Sequence, residues 1–167
     1  MKFIMYIFLL LLIVSCKPEQ KGPVIQVVGN ASAAPAQTPP SDMMETSVLL
    51  SRFWVFEHWV ETEMPTGNTQ KGRWYRFYEN GTYDGGHWED HNDHGTWFLK
   101  KGEQHTELYV DSEINDLLDA KWEVQAISGS QTEMSWVKTR DFGDQQSALC
   151  KLNGMLSIPT KAQFGIQ

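Results

Sequence analysis

Residues 75–83 read Tyr75-Arg76-Phe77-Tyr78-Glu79-Asn80-Gly81-Thr82-Tyr83. Aromatic and polar residues alternate on both sides of an Asn-Gly pair. In a strand, alternation sends successive side chains to opposite faces, and Asn-Gly is the strongest short hairpin signal. Two registers compete. A two-residue turn pairs Tyr78 with Tyr83. A three-residue loop with Gly81 left-handed pairs Phe77 with Tyr83. The second puts Tyr75, Phe77 and Tyr83 on one face and is the expected register.

The same pattern extends outward in both directions. Phe53 to Glu61 reads as a first strand, with Trp54, Phe56, His58 and Val60 on the expected inward face. Val55, Glu57, Trp59 and Glu61 fall on the other face. Met64-Pro65-Thr66-Gly67-Asn68 breaks the run. Asp84-Gly85-Gly86 reads as a bulge that lets the next strand bend. A turn at Asn92-Asp93 would set Trp88 across from Trp97 and His91 across from His94, with both histidines pointing outward at the hairpin tip. Trp97 and Leu99 alternate inward. Further strands are expected at 106–110, 121–127, 132–138 and 147–152, with a turn at Ser128-Gly129-Ser130-Gln131. Ser112 to Asp119 is a polar crossover with room for a helical turn, and Thr46 to Leu50 starts another. About eight strands with short sequential connections predict an all-β, antiparallel up-and-down barrel, which leaves no sheet edge exposed.

Composition narrows the function classes. The chain has 167 residues, 14 Lys plus Arg against 21 Asp plus Glu, and a formal charge of −7. That length fits one ordinary domain. No basic excess exists to neutralise phosphates, so nucleic acid is not an expected partner. Enzyme motifs fail on inspection. His87-Trp88-Glu89 lacks the Pro-Cys-x-x-Cys of zinc deaminases, and Ser135-Trp136-Val137-Lys138 lies on a strand without its partner motifs. No Gly-x-Ser-x-Gly, phosphate loop or His-Glu-x-x-His occurs. A non-enzymatic monomer without a cofactor is expected. His87 and His91 on one strand stand ~13 Å apart, too far for one ion. His91 and His94 are the weak metal candidates.

The N-terminus reads as an address. Lys2 is followed by an unbroken apolar run of 12 residues, Phe3 to Val14. A spanning helix needs ~20, so the run fits a signal peptide over 1–15. Ile13-Val14-Ser15-Cys16 resembles the bacterial lipobox, which implies lipidation of Cys16 and cleavage before it. Residues 16–45 are rich in Pro, Ala, Gly, Ser and Gln and read as a lipidated flexible linker. Within it, Val24-Ile25-Gln26-Val27-Val28 is an apolar island. The folded domain is expected over 46–160. The expected place is a bacterial envelope membrane, outside the cytoplasm. Cys150 then has no intramolecular partner, and its alternating context favours burial.

Three runs line up with a known family. Leu50-Ser51-Arg52-Phe53-Trp54-Val55, residues 75–83, and Gly95-Thr96-Trp97-Phe98-Leu99 with the later Trp122-Glu123-Val124-Gln125-Ala126-Ile127 resemble the lipocalin-like domains of bacterial lipoproteins. Arg52 departs from that pattern, where glycine is usual. The resemblance implies an eight-stranded barrel with Trp54 plugging one end under Leu49 and Leu50; it implies no substrate. Two functional readings follow. In the first, a small apolar or amphipathic ligand enters a cavity lined by Trp54, Phe56, His58, Tyr75, Phe77, Tyr83 and Trp97, with His58 orienting it. In the second, the barrel is filled by its own side chains, and an outer surface bearing Trp59 and Phe98 meets an envelope protein or glycan.

Cys16→Ser should abolish incorporation of a radiolabelled fatty acid and move the protein out of the membrane fraction. A variant that still labels and still sediments with membranes would sink the lipobox reading. One acyl chain holds only marginally, so the anchor needs two or more.

Overall fold

A computed structural model describes residues 32–61, 70–138 and 148–166. The signal and lipobox residues through Cys16, the Val24–Val28 island and the Met64–Asn68 breaker lie outside the described residues. Eight strands form one closed barrel in sequence order, each antiparallel to the next. They are β1 (Phe53–Glu61), β2 (Arg73–Phe77), β3 (Thr82–His87), β4 (Asp90–Lys101), β5 (Thr106–Ser112), β6 (Ala120–Ile127), β7 (Glu133–Lys138) and β8 (Ala148–Met155). β8 pairs back onto β1, from Phe53 with Met155 to Glu61 with Ala148. The meander expected from the spacing of turns is the observed topology. The three-residue register holds too: Phe77 pairs with Tyr83, and Gly81 is left-handed at φ 81°.

One end of the barrel is sealed. Helix α1 (Met44–Ser51) precedes β1 and buries Val48 and Leu49 completely. The Trp54 indole N–H donates to Leu49 O (3.1 Å), and Arg76 donates to Leu50 O (2.8 Å). Arg52, where glycine was expected, places its Cδ in the space left by the missing side chain of Gly154. The chain before the helix also lies against the wall. The Ala34 N–H donates to Asp111 Oδ2 (3.0 Å), Thr96 Oγ1 donates to Ala34 O (3.0 Å), and a side chain at Gly81 would strike the Gln37 backbone. The expected linker therefore does not run free to residue 45. Backbone groups, which every residue carries, dock the stretch.

Aromatic rings fill the middle. Phe56 lies 5.2 Å from Trp59, 5.7 Å from Trp122, 5.8 Å from Tyr75 and 5.9 Å from Trp136. Phe77 and Trp97 pack at 5.0 Å. Eight strands enclose a space just wide enough for side chains, and these rings occupy it.

The phase of β1 departs from expectation. The register shifts between Phe56 and His58, so Glu57 is an extra residue relative to β8. A bulge reverses which face the following residues take. Trp59 enters the core at 7% exposure, while His58 and Val60 turn outward. Neither His58 as an interior polar group nor Trp59 as a surface aromatic survives. Glu57 in the bulge is held by Lys151 (3.0 Å), which pulls its carboxyl below the usual range.

The turn between β3 and β4 also differs. It lies at Trp88-Glu89, not Asn92-Asp93, with His87 paired to Asp90 and a bulge at Gly85/Gly86. Trp88 takes φ 53°, an unusual value for a bulky residue. Packing outweighs turn chemistry here. The Trp88 ring lies 5.3 Å from Phe164, the Trp88 backbone N–H donates to Gly72 O, and the Trp88 carbonyl accepts from the Trp74 indole (2.8 Å). Trp74 is buried at 1% on the outer face and packs on Phe53 at 5.5 Å. This is a second aromatic layer, outside the barrel.

Trp59→Ala should cost ~3–5 kcal/mol in stability, as expected for a buried large aromatic. His58→Ala should stay within ~0.5 kcal/mol. Urea unfolding midpoints of the two variants check this; equal losses would reject the bulged phase of β1.

Candidate functional site

The residues expected to line a cavity are brought together, but against one another. Trp54, Phe56, Tyr75, Phe77, Tyr83 and Trp97 all belong to one core cluster, each 0–1% exposed. His58 lies apart, on the outer wall. It borders a groove of about 370 Å³ that also touches Val60, Ile127 and Leu149. Val60 and Leu149 are more than half exposed. Phe98, the other expected surface aromatic, is half-buried and stacks on Tyr109 with ring centres 4.5 Å apart.

The two histidines do not share a site. The displaced turn leaves both on the wall of β4. His91 Nε2 lies 3.3 Å from Asp84, and His94 Nε2 lies 3.5 Å from Glu113. Among the described residues no three His, Cys, Asp or Glu side chains gather in a way that would hold a metal ion.

The densest inward polar cluster stands at the barrel end opposite α1, where strands begin or end. Arg73 opens β2, and its guanidinium donates to the Tyr75 hydroxyl (2.8 Å). Asp93, on β4, is 4% exposed. Its Oδ1 accepts from Ser112 Oγ (2.7 Å) and from the Tyr83 hydroxyl (3.1 Å). Ser112 in turn accepts the Ile114 and Asn115 N–H groups, and its own N–H donates to Asp119 (2.8 Å). One buried carboxylate thus fixes both the strand end and the crossover that follows it.

Electrostatics at this end follow from burial. Desolvation pushes the Tyr75 hydroxyl up to about 12 and the Tyr83 hydroxyl further in the same direction. It lifts the Asp119 carboxyl to about 6, aided by Asp111, Asp116 and Asp93 and opposed by the Ser112 N–H. Lys138 closes β7 with its ammonium 5.9 Å from the Trp122 ring centre. Burial, and then the charge of Arg73, hold its amine below the usual lysine range. The Cys150 thiol is buried as expected, and desolvation pushes its pKa well up. The indole N–H groups of Trp122 and Trp136 are buried and have no hydrogen-bond partner among the described residues.

Comparison with family models, with curated proteins and with solved structures returns no match. The polar end is therefore assigned by its chemistry alone. Sequence reasoning missed it because Arg73, Asp93 and Lys138 sit near turns, where charge usually means solvent. The signal was the phase: Arg73 shares parity with Tyr75, and Asp93 shares parity with Trp97.

Lys138 has no carboxylate within ion-pair distance among the described residues. A half-buried ammonium without a carboxylate partner loses hydration that a ring contact only partly replaces. Lys138→Met should therefore raise the urea midpoint, by the equivalent of ~0.5–2 kcal/mol. A lowered midpoint would mean that the ammonium stabilises the barrel.

Proposed function

We propose that this chain is a lipid-anchored protein of the bacterial envelope whose lipocalin-like barrel binds, without chemistry, the polar end of a small amphipathic molecule at the loop end. The observation that carries the reading is the asymmetry of the two ends. One is closed by α1, Leu49 and Trp54. The other turns Arg73, Asp93 and Lys138 inward. The lipobox before Cys16 supports the anchor. The aromatic filling of the middle leaves room near the mouth only, so the polar end of the ligand is what this barrel recognises.

A second reading draws on the outer groove beside Val60 and Leu149, an apolar strip that suits a partner protein. Native mass spectrometry of the full chain, extracted from its own membranes, separates the two. A one-to-one small-molecule adduct that disappears in Arg73→Ala supports binding at the mouth. Adduct-free protein, or an adduct indifferent to Arg73→Ala and lost in Leu149→Asp, overturns it.

A further inference from the structure

Asp93 is a buried carboxylate with one oxygen fully engaged and the other unpartnered among the described residues. Oδ1 accepts two hydroxyl donors. Oδ2 is buried, no hydrogen-bond donor among the described residues reaches it, and Arg73 Nη2 stops 3.9 Å away. Folds seldom leave such an atom without something to answer it. Two features hold the gap open. The Arg73 guanidinium is drawn to Tyr75, donating to its hydroxyl and lying 5.3 Å from its ring centre. Across the strand pair, Asp93 faces Gly85, and a Cβ there would stand only 3.2 Å from Oδ2. Glycine keeps that side clear.

A cleft of about 190 Å³ opens at this point, bordered by Gln70, Arg73, Gly86, Asn92 and Asp93. It is smaller than the ~300–1,000 Å³ of pockets for drug-sized ligands. A headgroup or a small metabolite fits; an acyl chain does not. The charges narrow the chemistry further. A lone cation entering beside Asp93 meets Arg73, and a lone anion entering beside Arg73 meets Asp93. At this spacing and outside bulk water, either repulsion is strong. A neutral hydroxyl would satisfy Oδ2 but bring no negative charge to the Arg73 guanidinium. A molecule carrying both charges meets both demands.

Resting on the proposed binding role of the loop end, we infer that the Asp93–Arg73 cleft recognises a zwitterion: a primary ammonium donating to Asp93 Oδ2, with a carboxylate or phosphate two to four bonds away on Arg73. Free amino acids and phosphoethanolamine headgroups both have this chemistry. A quaternary ammonium does not, because it has no N–H to donate.

The test is calorimetric titration of the full chain in non-ionic detergent. The probes are L-serine, phosphoethanolamine and the water-soluble dihexanoyl phosphatidylethanolamine, with ethanolamine, inorganic phosphate and glycerol as controls. At least one zwitterion should bind at least tenfold more tightly than every control. Asp93→Asn and Arg73→Gln should each weaken it at least tenfold. Near-ultraviolet circular dichroism of the packed aromatics monitors folding; if Asp93→Asn does not fold, Arg73→Gln, on the rim, carries the test. Preference for the dihexanoyl lipid assigns a lipid source, and preference for L-serine a free amino acid. Any control binding as tightly as the best zwitterion, or variants binding unchanged, overturns the inference. If no zwitterion binds while the Arg73-dependent mass adduct persists, this inference falls and the binding role stands. Absence of both removes both.

Discussion

Four rings press on Phe56, and they come from both halves of the chain. Tyr75 stands on β2, Trp122 on β6, Trp136 on β7, and Trp59 on the same strand as Phe56. Each aromatic pair contributes ~0.5–1.5 kcal/mol beyond the area it buries. Their shared position matters more than the sum, because it ties early strands to late ones at one point. Trp59 reaches that point only because Glu57 is an extra residue in the β1–β8 ladder. The bulge and the core are one device.

A core of this kind dictates where anything else can happen. An eight-stranded barrel has room for side chains or for one small ligand, and here the rings have taken the middle. Helix α1 has taken one end. What is left is a ring of strand termini, where inward positions are polar and one carboxylate holds two strands and a crossover together. One buried carboxylate oxygen there has no donor among the described residues, which costs stability locally.

Strand number, order and closure were legible because alternation and turn residues agree along most of the chain. The Asn80-Gly81 hairpin, the inward set Tyr75, Phe77, Tyr83 and Trp97, and the burial of Cys150 follow from parity alone. Failures came where parity breaks. A bulge carries no compositional mark in Phe56-Glu57-His58, yet it exchanges the roles of His58 and Trp59. The Trp88-Glu89 turn lacks glycine and asparagine, and is set by contacts with Trp74, Gly72 and Phe164 that lie far away in sequence. The polar loop end was overlooked for a different reason, since parity marks it. Arg73, Asp93 and Lys138 look like ordinary turn-flanking charges until the closed barrel aims them at a common axis.

The β1–β8 seam has a kinetic side. Phe53 pairs with Met155, so sealing the barrel means closing a loop of roughly 100 residues, with the entropy that such a closure loses. Topologies dominated by distant pairings fold slowly. As the chain is made from its N-terminus, β1 emerges first and waits for the last strand to arrive. In the interval its apolar side chains and its unpaired edge are open to other chains. The charged pair at the bulge, Glu57 with Lys151, spans that same seam. The Glu57 charge also keeps the waiting strand from being a purely apolar ribbon.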